Sequence, residues 1–114
     1  MKLPTIDGAK NLHSVWDSMI YAYTGTPDMP FSNALWHQIG ADADNMESSY
    51  EFTPSEFQNM NFDQWALESF ELAKSAVYPG VTPNVPLTQA YIDANQDLIK
   101  RQVVLGGLRL SYVI

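Results

Sequence analysis

The chain has 114 residues with 46% apolar residues, a formal net charge of −7 and no cysteine. That length allows one domain or a piece of one, and the missing cysteine removes any disulfide framework. No run approaches the roughly twenty apolar residues that span a bilayer, and no Lys or Arg stands between Lys10 and Lys74, so the basic stripe of a duplex-binding protein is absent.

Residues 1–10 read as an extended arm. Met1, Leu3 and Ile6 alternate loosely with polar residues, and Asp7-Gly8 is a turn signal. Met1-Lys2-Leu3-Pro4 leads into polar residues rather than the apolar run of a secretory leader. Asn11 or Lys10 opens the first helix, and apolar residues sustain it to Tyr23. On that helix His13 and Asp17 stand four apart, on the same face. An imidazole nitrogen and a carboxylate oxygen within reach of one cation are ligand types that zinc accepts. Leu12, Trp16 and Ile20 fall on or beside that face, which puts the pair at the edge of an apolar core. The same spacing also describes an ordinary surface hydrogen bond, and two donors do not complete a zinc shell.

Thr24 to Pro30 is a break. Ser32 then caps a second helix with Leu35, Trp36, Ile39 and Ala43 at helical spacing. His37 lies in it and reads as a structural or surface histidine. Thr53-Pro54-Ser55-Glu56 has the form of a capping box with Pro at the first helical position, which predicts a short helical turn. Asn61 and Gln64 repeat the device. They open the strongest amphipathic helix, in which Phe62, Trp65, Ala66, Ser69, Phe70, Ala73 and Val77 form one apolar stripe. Tyr78-Pro79-Gly80 ends it, and Val81 to Pro86 is a Pro-rich loop. Thr88 caps the last helix, with apolar positions from Tyr91 to Val113. Gly106-Gly107 inside it costs about 1 kcal/mol per Gly against Ala, which predicts close approach of another backbone there. The expectation is an all-α fold of about four helices.

Three segments, in this order, carry a resemblance: Asn11-Leu12-His13-Ser14-Val15-Trp16-Asp17, Trp65-Ala66-Leu67-Glu68-Ser69 and Gly106-Gly107-Leu108-Arg109-Leu110. Together they resemble the C-terminal part of the zinc-dependent single-strand-specific nucleases, the S-one/P-one family, whose fold is like that of phospholipase C. The first segment is the specific one. The resemblance implies that residues 1–114 are the C-terminal portion of a single, mainly helical nuclease domain, with 1–10 as an arm and 11–114 helical. It implies that His13 and Asp17 are metal ligands, binding one zinc of a three-zinc cluster. It also implies hydrolysis of single-stranded DNA and RNA to 5′-phosphates, removal of 3′-phosphates from nucleotides, and a secreted, vacuolar or lysosomal location.

The family's remaining ligands, an N-terminal Trp and further His and Asp residues upstream, are not in these 114 residues. The expected partners are therefore the upstream part of the same nuclease and a single-stranded nucleic acid or nucleotide, with no membrane. Alone, the chain is expected to be inactive. Two alternatives stand beside this reading: a zinc-dependent phospholipase C, and a non-enzymatic helical fragment that assembles with like chains while the His-Asp pair stays idle.

Overall fold

The computed structural model describes residues 11–23 and 27–114. The extended arm expected at residues 1–10 lies outside the described residues. Among the described residues five α-helices follow one another: α1 (Leu12–Asp17), α2 (Asn33–Ser49), α3 (Pro54–Phe57), α4 (Phe62–Leu72) and α5 (Gln89–Val113). There is no strand among the described residues, so the all-α expectation holds. No helix among them is long and apolar enough to cross a membrane.

Local rules set most of the boundaries. The first amides of a helix have no intrahelical acceptor, and side chains supply one in each case. Asn11 Oδ1 accepts from Ser14 N at 2.8 Å, Ser32 Oγ from Leu35 N at 3.1 Å, and Asn61 Oδ1 from Gln64 N at 3.1 Å. Thr88 Oγ1 accepts from Tyr91 N at 3.1 Å at the start of α5. At α3 the Thr53 amide donates back to Glu56 Oε2 at 3.2 Å, the return half of a capping box. Gly80, at φ +82°, closes the turn after α4 in the left-handed region that a Cβ disfavours.

One boundary and one stretch of helix geometry differ from expectation. The first helix stops at Asp17 instead of running to Tyr23, because Met19, Ile20 and Tyr21 all take positive φ (53°, 52° and 60°). Left-handed backbone costs roughly 1–2 kcal/mol per residue for side chains of this kind. Tertiary contacts offset that cost: Ile20 is 1% exposed, and the Gln96 amide donates to its carbonyl at 2.8 Å. Second, α4 continues as a wider π-turn over Ala73–Val77, closed by Tyr78 N donating to Ala73 O at 3.1 Å.

The chain divides into two compact units, residues 1–23 with 60–99 and residues 24–59 with 100–114. The first unit holds the cluster Val15, Ile20, Leu87, Tyr91 and Ile92, with Trp16, Tyr21 and Val81 packed against it. Its α4 keeps an open stripe: Phe62 and Phe70 are exposed and no residue of that helix is buried. The amphipathic pattern is present there, with Trp65 half-buried and Lys74 over the Phe70 ring, 5.7 Å from its centroid.

The second unit is thinner. Its α2 has no buried residue, and Val104, Leu105 and Arg109 are its buried side chains. Arg109 donates from Nε and Nη2 to the Glu56 carbonyl, each at 3.3 Å, tying α3 to the end of α5. Arg101 lies over the Phe52 ring, 4.5 Å from its centroid, within cation–π range. The backbone approach expected at Gly106 and Gly107 is not seen; no atom stands within 4 Å of where a Cβ would be at either.

Candidate metal-ligand pair on the first helix

The orientation of α1 decides what its outer face can do. Val15 is fully buried. His13 and Asp17 lie two residues to either side of it, about 200° round the helix axis at 100° per residue. Burying Val15 therefore turns both toward solvent. Trp16 fixes the rotation further, since its Nε1 donates to the Tyr91 hydroxyl at 3.1 Å. Tyr91 in turn donates to the Val77 carbonyl at 2.5 Å, one of the carbonyls that the end of the helical segment leaves without a helical partner. The carboxy end of α1 is held as well: Ser18 Oγ bonds the Val15 carbonyl at 2.8 Å and the Ser14 carbonyl at 3.2 Å.

On this frame His13 Nε2 and Asp17 Oδ2 stand 3.0 Å apart, with side chains 85% and 69% exposed. The structure thus brings the two candidate residues together. Zinc with bonds of about 2.0–2.2 Å in tetrahedral geometry holds its ligand atoms about 3.3 Å apart. The observed separation of 3.0 Å is within a few tenths of an ångström of that spacing. One neutral imidazole and one carboxylate are donors zinc takes. Their exposure leaves the remaining corners open to groups from outside. Among the described residues no group of three or more His, Asp or Glu side chains could hold a metal, so the pair can supply only part of a shell. His37 is exposed on α2.

Tyr91 is a perturbed acid. Burial pushes its hydroxyl above the usual tyrosine value of 10.0, and the hydrogen bond from Trp16 works in the opposite direction. Sequence reasoning placed Tyr91 only among the apolar positions of the last helix. Its role as the post that orients Trp16 has no local signal, because its partners lie 75 and 14 residues away in the chain.

The first helix thus presents a paired imidazole and carboxylate to solvent. The model of the S1/P1 nuclease family matches residues 3–114, and the chain belongs to that family. Endonuclease 5 of Arabidopsis thaliana is 26% identical to it over 107 residues, an overlap of 89% of this chain and 36% of that relative. The chain therefore spans little more than a third of the length of the curated relative it matches. No solved structure matches.

Proposed function

We propose that these residues form the C-terminal portion of a zinc-dependent nuclease that hydrolyses single-stranded DNA and RNA to 5′-phosphates and removes 3′-phosphates from nucleotides. The observation that carries this reading is the exposed His13–Asp17 pair, 3.0 Å apart, within the stretch matched by the family. When bound, zinc supplies Lewis-acid polarisation of a phosphoryl oxygen and a nucleophilic water at neutral pH. His13 and Asp17 would hold one ion, and the packed face of α1 keeps them aimed outward. The other ligands would come from upstream protein.

Charge supports a metal-centred grip on the substrate. With a net charge of −7 and no Lys or Arg from residue 11 to 73, the surface repels a phosphate backbone, and bound cations become the local positive charge that it meets. Single-strand preference follows where a base must be splayed out and stacked before its phosphate reaches the metals. A secreted, vacuolar or lysosomal location belongs to the same proposal.

The test is metal analysis of the full-length protein with activity on single- and double-stranded substrates. Stoichiometric zinc, reduced by His13→Ala and by Asp17→Ala with loss of single-strand cleavage, is the expected result. Zinc content and cleavage unchanged in both variants would overturn the assignment, and a full-length protein without zinc would favour the idle structural fragment.

A further inference from the structure

Within the second unit, α2 and the end of α5 enclose a groove of about 330 Å³. Ala43, Met46 and Glu47 line it from α2, and Val103, Gly107 and Ser111 from α5. Ala43 with Glu47, and Val103 with Gly107 and Ser111, are four apart, and Met46, Val104 and Leu108 stand in the adjacent rows, so each wall is one face of its helix. Apart from Glu47 the walls are apolar or small, and at Gly107 a Cβ would meet nothing within 4 Å. Such a trough has the form that accepts the apolar face of a helix. It lacks the converging polar groups of a small-molecule site.

We propose that this groove seats a helix with an apolar stripe flanked by Lys or Arg, contributed by the part of the nuclease outside these 114 residues. The proposal rests on the reading above, that the chain is a portion of a longer nuclease. Charge selects the occupant. Glu47 lines the groove and α2 also carries Asp42 and Asp44 with no Lys or Arg; residues 100–114 bring Lys100, Arg101 and Arg109, and the acids of this unit still outnumber its bases, so a cationic rim is attracted and an acidic one repelled. A second copy of this chain would carry the same overall charge of −7, which opposes its approach. Length supplies a source for the helix, since almost two-thirds of the Arabidopsis relative lies outside the match.

Gly107→Leu tests this through a change of sign. In the 114-residue chain the new side chain meets open space on a helix and replaces the least favourable non-proline residue there, so Tm stays or rises by a few degrees. In the full-length protein it collides with the seated helix and Tm falls by several degrees. Gly106 does not line the groove, so Gly106→Leu serves as the reference in either context and is not expected to lower Tm. Glu47→Lys is expected to lower Tm of the full-length protein, with the loss shrinking as salt rises.

A Gly107→Leu that behaves like Gly106→Leu in the full-length protein would overturn the docking, as would a 114-residue chain that forms a dimer dissolved by Gly107→Leu. An indifferent Glu47→Lys would overturn the cationic occupant. Zinc content is a separate readout: docking lost with zinc retained sinks this proposal alone, and zinc lost with docking retained sinks only the metal assignment.

Discussion

The two units differ in how much of their apolar surface they close for themselves. The first surrounds Val15, Ile20 and Leu87 until each is at most 1% exposed, whereas the second buries Val104 and Leu105 to 9% and 6% and leaves Leu110 at 61%. The candidate ligand pair sits on the unit with the fuller core, although its α4 stripe stays exposed, and the apolar groove lies on the other. The contrast teaches that presenting ligands demands a rigid footing, whereas apolar surface left open marks where further protein belongs. An apolar face left in water forgoes about 25 cal/mol per Å² of stabilisation.

Truncation is the strongest way to break the contrast. Leu87→Ala should cost about 2–5 kcal/mol, as large-to-small changes at fully buried sites do. Leu110→Ala, on an exposed position, should stay within about 0.5 kcal/mol. Urea unfolding of both variants reads the difference, and equal losses would mean that the units share one core.

Next comes Tyr91→Phe. It strips Trp16 Nε1 of its acceptor and the Val77 carbonyl of its donor. Groups left unsatisfied in this way cost about 1–3 kcal/mol. The same residue gives a pH signature. Its pKa is raised in the folded state by burial, so the folded chain holds that proton more tightly than the unfolded one. The associated stability is complete below pH about 10 and is lost as pH rises through the folded value. Thermal melts at increasing pH should show this alkaline loss in the native chain and a smaller one in Tyr91→Phe.

Capping changes should be smaller. Ser32→Ala and Asn61→Ala remove the acceptors for Leu35 N and Gln64 N, and each should cost about 1 kcal/mol, read by far-ultraviolet circular dichroism during melting. The smallest stability effect belongs to the candidate site itself. His13→Ala and Asp17→Ala break an exposed i,i+4 pair, and such pairs contribute about 0.3–0.5 kcal/mol. A near-silent melt combined with a large loss of zinc would separate ligand function from structural function.

What the sequence made legible follows from how local each rule is. The caps at Asn11, Ser32, Thr53, Asn61 and Thr88 and the stop at Gly80 involve a few neighbouring residues, and all appear where the residue types call for them. The His13–Asp17 pairing was legible for the same reason, since helical spacing alone sets it. The end of α1 was not. Three consecutive non-glycine residues at positive φ contradict local preference and stand only because Gln96 and the buried cluster hold them. The stripe on α4 was legible as a pattern, but whether it is covered depends on protein outside the described residues. The exposure of His13 and Asp17 required knowing that Val15, rather than Leu12, is the residue driven fully inside.

The left-handed turn after Asp17 bears on how a cation would be captured. With Ile20 anchored to Gln96 and Trp16 moored to Tyr91, α1 meets the solvent as a fixed bracket. The disorder that a floppy segment would surrender on meeting an ion has here been surrendered during folding, so more of the coordination energy remains as affinity.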